Sequence, residues 1–288
     1  MNYLDYYLEV QTLDDVKNIT YSNDSSLAII TDFLAHKINL LNMSETEGKG
    51  QKEITFFKNA ISQNPHIQIP KVNASSVYIS GPMSKHPYAN YHSFYLAEAI
   101  LVLSGMSQSN IINPATIPHV ANSGWIDFMI NDLEGMFLKT DMLILLPGWE
   151  TSLGARVEKI VAENIQNFKR LLSSNLSEDE VKGSYQQQNV KGQDEQIFNS
   201  PEFQSILKNI SQQAEVSFDY LTEIFQTSKI FNALRNSSNS YSIKELKNIL
   251  DIKACEKAIA DQIQSLNLWK EDRSIIARYI NKARFQII

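Results

Sequence analysis

A single cysteine, Cys255, among 288 residues excludes an intrachain disulfide framework and any cysteine-rich metal site. Positive charge is short as well. Lys and Arg number 26 against 32 Asp and Glu, and the net charge of -6 gives no global attraction to a nucleic-acid polymer or an anionic membrane. No apolar run approaches the roughly 18 residues of a membrane span. The opening MNYLDYYLEV is too acidic and too polar for a secretion signal, so a cytoplasmic protein is expected. His86, His92 and His119 are scattered without ligand spacing, and neither a metal nor a cofactor is expected. No internal repeat is visible.

What is present is a 43% apolar composition, enough for a sizeable core in one large or two modest domains. Residues 1–70 read as a helical N-terminal extension. Within it Leu27, Ile30, Phe33, Leu34, Ile38 and Leu41 fall at helical spacing, and Glu53–Ser62 reads as a short helix. Tyr3, Tyr6 and Tyr7 suit either buried packing or a partner surface. Residues 173–200 are polar and aperiodic and read as a linker. Residues 201–288 read as an all-α C-terminal domain. Its helices are expected over Glu202–Ser211, Val216–Thr227, Ile243–Ile249 and Cys255–Ile287, the third opened by a capping box of Ser242 with Glu245. Such helices suit covering a site, joining copies of the chain or holding a protein partner.

The intervening residues 71–172 have a different grammar. Met142–Leu146 is a short apolar run of strand length, and Pro147-Gly148 breaks it. Thr151 or Ser152 can then cap a helix that continues through Val157, Ile160 and Val161. A matching joint lies upstream. Val77–Ile79 is followed by Ser80-Gly81-Pro82, a polar loop, and a helix with Phe94, Ala97, Ile100 and Leu101 on one face. Ile111-Ile112 reads as a further strand, ended by Asn113-Pro114. This alternation predicts an α/β core with a parallel sheet over about 74–165. Ligands of such sheets bind beyond the carboxyl ends of the strands. A glutamate two turns into a helix is by itself usually a solvated face, so Glu158 gains meaning only from the pair of joints.

Tyr78-Ile79-Ser80-Gly81-Pro82-Met83, Asn113-Pro114-Ala115, Asp132, and Asp141 through Leu146-Pro147-Gly148-Trp149-Glu150 to Ser152, Gly154, Ala155 and Glu158 together resemble the nucleoside 2-deoxyribosyltransferase superfamily. The likeness is to a branch of small phage and bacterial domains of unknown function, cousins of the 2'-deoxynucleoside 5'-monophosphate N-glycosidases. The resemblance implies a flavodoxin-like or Rossmann-like sheet and a glutamate nucleophile, Glu158, acting on C1' of a sugar. It implies that Asp132 assists the leaving base or orients the sugar and that Tyr78 positions the nucleophile. A helix amino terminus is expected to help keep Glu158 ionised. Ser80, Gly81, Pro82, Met83, Asn113, Trp125, Ser152 and Gly154 would form the substrate-binding set. Gly81 suits a close backbone approach by the ligand, and Trp125 suits either stacking on a base or anchoring a core or lid. Asp132 lies nine residues before Asp141, one more than is usual in that family. The slip is either absorbed at a helix end or turns the carboxylate away.

Ser152 separates the functional readings. The transferases that take free nucleosides tend to hold the sugar hydroxyl with an acid at this place, whereas a serine can donate to a phosphate. The expected activity is therefore N-glycosidic cleavage of a (deoxy)nucleoside 5'-monophosphate. Base exchange between nucleosides is one alternative, and a non-catalytic module sensing a nucleotide or an NAD-derived signal is another. A homo-oligomer is also expected from the resemblance.

Overall fold

Val77, Tyr78, Ile79 and Ser80 form β1, and every one of the four is buried. The computed structural model describes residues 51–83, 87–117, 124–174, 187–237 and 240–265. The expected helix over 25–41, the three N-terminal tyrosines, His86, His119 and the chain beyond Ser265 lie outside the described residues.

Two compact units share the chain. The first comprises the described parts of Met1–Pro70, Met83–Ser104 and Leu250–Ile288. Its helices are α1 (Gln51–Ser62), α2 (Pro87–Leu103) and α10 (Ile252–Ser265), with α1 packed on both of the others. On α1 the residues Ile54, Phe57 and Ile61 recur at helical spacing and are buried. On α2 Phe94, Ala97, Ile100 and Leu101 are buried, as their spacing predicts.

The second unit, Lys71–Pro82 with Gly105–Ile249, holds the sheet. After β1 come β2 (Ile111–Ile112), α3 (Trp125–Lys139), β3 (Met142–Leu145), α4 (Leu153–Glu163) and α5 (Ile165–Ser174). Then follow α6 (Gln187–Phe198), α7 (Pro201–Ala214), α8 (Phe218–Phe225), α9 (Ser228–Asn236) and β4 (Ser242–Glu245). The sheet has the order β2-β1-β3-β4, and all three pairings are parallel. This is the flavodoxin-like, Rossmann-like architecture. The chain leaves β1 for β2 on one side and then crosses to β3 on the other, so the carboxyl ends of β1 and β3 flank a topological switch point, the usual ligand crevice of open α/β sheets.

The chain past residue 200 departs from an all-α reading at one place. Ser242–Glu245 is a strand, not a capping box opening a helix, and a short 3-10 turn, Leu246–Asn248, follows it. The local pattern S-x-x-E does favour a helix start. The exposed edge of β3 overrides it, because buried backbone groups must find partners. Ser242 N–H donates to Asp141 C=O at 2.9 Å, and Met142 to Leu145 pair with Ser242 to Glu245. The polar stretch expected as a linker also differs: from Gln187 its described part is α6. Helix α4 stops at Asn164, whose side-chain amide donates to Ile160 C=O at 2.8 Å, and α5 begins at the next residue.

One apolar core joins these helices to one face of the sheet. Tyr78, Leu143 and Leu145 meet Leu133, Met136, Val157, Val161, Phe168, Phe203, Leu207 and Phe225 in it. Phe168 stacks on Phe225 at 5.2 Å and Phe203 on Phe231 at 5.4 Å between ring centroids. Each buried phenylalanine contributes on the order of 2–3 kcal/mol. Helices α7 to α9 are thus built into the α/β core, with α7 against α4 and both α8 and α9 against α3.

Candidate active site

Alternation along β1 sends Tyr78 and Ser80 to the same face. Both meet Glu158, on the second turn of α4. The Tyr78 hydroxyl donates to Glu158 Oε1 at 3.0 Å, and the Ser80 hydroxyl makes a short bond to Oε2. Asp132 joins from α3, near enough for its charge to act on both Tyr78 and Glu158. The extra residue between Asp132 and Asp141 is therefore absorbed, and the carboxylate faces inward. Glu158 is 5% exposed, Tyr78 1% and Ser80 1%, while Asp132 is half-buried. Two acids and two hydroxyls from three elements thus converge beneath the carboxyl end of β1.

Their electrostatics follow from that enclosure. Burial, and then the nearby Asp132 charge, push Glu158 up to about 8 against the opposing hydrogen bonds from Ser80 and Tyr78. Burial pushes Asp132 up to about 6, and the nearby Tyr78 hydroxyl pulls the other way. Tyr78 itself is raised well above its ordinary value by burial and by both carboxylates. The pair therefore holds one proton between pH values of about 6 and about 8, a property of the two groups together. The expectation that a helix amino terminus keeps Glu158 ionised does not hold in the free protein. The helix field fades beyond the first turn, and Glu158 lies six residues past the N-cap Ser152.

The turns around the site have local causes. Pro147-Gly148 forms a tight turn with Gly148 at φ 79°, closed by Trp149 N–H to Leu146 C=O at 3.2 Å. Packing alone already requires a glycine at position 81. A Cβ there would lie 2.8 Å from Leu146 Cβ, where Leu146 N–H donates to Ser80 C=O at 2.8 Å. Pro82 approaches the Gly148 turn, so the loops leaving β1 and β3 are neighbours.

The other expected residues have distinct places. Ser152 caps α4, accepting from Ala155 N–H at 3.3 Å, and is 7% exposed. Gly154 faces α3, where an added Cβ would sit 3.3 Å from Met129 Sδ. Asn113 is buried and caps the turn after β2 by accepting from Ala115 N–H at 3.0 Å. Trp125, half-buried at the start of α3, packs on the core and on Tyr220, with centroids 5.8 Å apart. Met83 is a half-buried coil residue assigned to the first unit.

Two features are not legible in the sequence. Ser80, expected in the substrate-binding set, donates to Glu158. Tyr241, just before β4, is packed against the same core, and its buried hydroxyl has no hydrogen-bond partner among the described residues. Burial holds that phenol above its ordinary value, with the Glu158 and Asp141 charges adding to the effect. No local pattern points to Tyr241, because the strand that follows it is itself hidden behind a helix-start signal. Among the described residues no group of three or more His, Cys, Asp or Glu is placed to hold a metal, and no helix is long and apolar enough to cross a membrane.

Residues 75–168 match a family described as Domain of unknown function (DUF4406). Neither the curated proteins nor the solved structures yielded a match.

Proposed function

We propose that this site cleaves the N-glycosidic bond of a (deoxy)nucleoside 5'-monophosphate, with Glu158 as nucleophile. The observation that carries the reading is the buried Glu158, held by the Tyr78 and Ser80 hydroxyls with a second carboxyl group, Asp132, beside it. A tyrosine has one proton to donate, so it cannot serve two ionised acids equally. With the shared proton on Asp132, Tyr78 and Ser80 both donate to an ionised Glu158. That is the reactive arrangement, reached when the proton that the free protein keeps on Glu158 passes to Asp132. A Glu158 oxygen attacks C1', the C1'–N bond breaks, and its electron pair leaves with the base, which takes the proton from Asp132. Water then attacks C1' of the glycosyl ester, releasing Glu158 and the sugar phosphate, and Asp132 accepts a proton from that water.

The amino end of α4 supports a phosphate as the remote handle. Ser152 Oγ accepts from Ala155 N–H, which leaves its O–H to donate, and the first-turn amides have no carbonyl within the helix. The test follows free base from nucleosides, their 5'-monophosphates and NAD. Monophosphates should be preferred, and a second base should not capture the sugar. Capture by added base identifies a transferase. Binding of any of these compounds without base release identifies a sensing module. Across pH, kcat/KM for the monophosphate should form a bell with limbs near 6 and 8. Below the lower limb both acids are protonated and no nucleophile remains, and above the upper limb no acid remains. A single flat plateau from pH 5 to 9 defeats the shared-proton mechanism.

A further inference from the structure

Trp125, Met129 and Asp132 follow one another on α3 at steps of four and three residues, and so lie along one stripe of the helix. Because β2 and β3 are parallel, α3 runs back against them, and Trp125 begins it at the carboxyl-end side of the sheet. Its Cα lies about 10 Å along the helix axis from that of Asp132. Met129, between them, meets Gly154 at the start of α4. The stripe therefore runs along the side of α3 that meets α4, with Trp125 at one end and Asp132 at the other.

A second aromatic ring comes to this rim from far along the chain. Tyr220 lies on the first turn of α8 and packs beside Trp125 with an interplanar angle of 44°. Tyr220 is 48% exposed, one of three large apolar side chains so exposed among the described residues. Its position is held from below. Arg156 of α4 donates through Nε to Ala214 C=O and through Nη1 to Glu150 C=O, both at 2.9 Å. Those bonds tie the corner between α7 and α8 to α4 and to the loop leaving β3. Ser211 adds a hydroxyl bond to Val216 C=O at 2.7 Å. A phenol ring exposed on so fixed a corner, beside an indole, offers a planar face at little ordering cost.

We infer that Tyr220, with Trp125 beside it, stacks on the base of the bound nucleotide, so that the C-terminal half supplies part of the substrate site. Tyr220 lies outside residues 75–168, and no likeness over that segment assigns it a role. The occupant is a flat heterocycle joined to a sugar whose C1' reaches the carboxyl pair. The inference deepens the glycosidase reading and rests on it for the placement of that sugar. Stacking is tolerant of base identity because every base has a π face.

Tyr220 is the residue to change, since its exposure spares the core. In a Glu158→Gln background, which prevents turnover, calorimetry would compare the four 2'-deoxynucleoside 5'-monophosphates with 2-deoxyribose 5-phosphate, which lacks a base. Tyr220→Ala should weaken the nucleotides by roughly tenfold or more and leave the sugar phosphate unchanged. Tyr220→Phe should retain nucleotide affinity within about twofold, since it keeps the ring face. Equal losses for nucleotide and sugar phosphate would reveal a structural role and overturn the stacking. Unchanged nucleotide affinity in Tyr220→Ala, or no nucleotide binding at all, would overturn it too. The two readings fail separately. Ring-dependent nucleotide binding with no base release by the unaltered protein keeps the stacking site and ends the glycosidase. Base release that Tyr220→Ala leaves unchanged at sub-saturating nucleotide does the reverse.

Discussion

Asp141 and Glu158 stand at opposite ends of one strand–turn–helix joint, and both accept hydrogen bonds from the segment around β1. Asp141 receives three: Ser75 Oγ at 2.7 Å, Ser75 N–H at 3.1 Å and Ser76 N–H at 3.1 Å. Glu158 receives two, from Tyr78 and Ser80. Yet they titrate in opposite directions. Burial is the largest single influence on Asp141 and raises it, but the bonds from Ser75 and Ser76 together outweigh it and hold the carboxyl below its ordinary value. At Glu158 burial and a second carboxylate outweigh comparable bonds and push it to about 8. Donors alone do not set the charge of an acid. At Asp141 the donors outweigh burial, whereas at Glu158 deeper burial and a like charge outweigh the donors, and this divides the joint into a structural end and a reactive end.

The largest test of that division is Glu158→Gln. The amide keeps the shape and loses the charge, so base release should fall about a thousandfold or more, equivalent to about 4 kcal/mol of barrier, while nucleotide affinity changes little. Asp132→Asn should lower the rate less if the acid only assists the leaving base. A Glu158→Gln variant that still releases base at the original rate would end the nucleophile assignment.

Stability against pH comes next in size. Glu158 binds its proton more tightly in the folded state than its ordinary 4.5, so the folded state carries the extra proton between about 4.5 and about 8. Stability from this group is full below that window and is lost as pH rises through it, with a slope of at most about 1.4 kcal/mol per pH unit. Denaturant melts of Glu158→Gln should have a shallower slope there, and the variant should be the more stable protein at pH 9. Equal slopes would mean that Glu158 is not a buried, proton-holding acid.

The smallest effect belongs to Asp141, and its sign is opposite. Its folded value is depressed, so its contribution is present above the ordinary 3.8 and fades as pH falls through the folded value. Asp141→Asn should lose about 1 kcal/mol at pH 7, because solvent screens a half-exposed group. Base release per folded molecule should stay within about twofold. A loss of activity matching that of Glu158→Gln would erase the distinction between the two ends.

Much of this arrangement is legible in the order of residues. Short apolar runs bounded by Ser80-Gly81-Pro82 and Pro147-Gly148 identify β1 and β3, because strand length and turn chemistry are local properties. Glu158, Asp132 and Tyr78 are legible as a set only through resemblance, since no spacing rule joins Tyr78 to residues 80 and 54 positions further along the chain. Gly81 is legible as a required glycine, but its reason is not. The close neighbour is Leu146, a contact between adjacent strands.

By itself, the sequence determined which segments turn, which helices carry an apolar face, and that β1 and β3 are buried strands. Tertiary structure alone decided that Ser242–Glu245 joins the sheet. Its local pattern favours a helix, and only the unpaired edge of β3 gives its backbone a better set of partners. The protonation of Glu158 was decided in the same way. A glutamate two turns into a helix is an ordinary anion until helices, strand and a second acid close around it, and that enclosure involves residues from 78 to 158 at once.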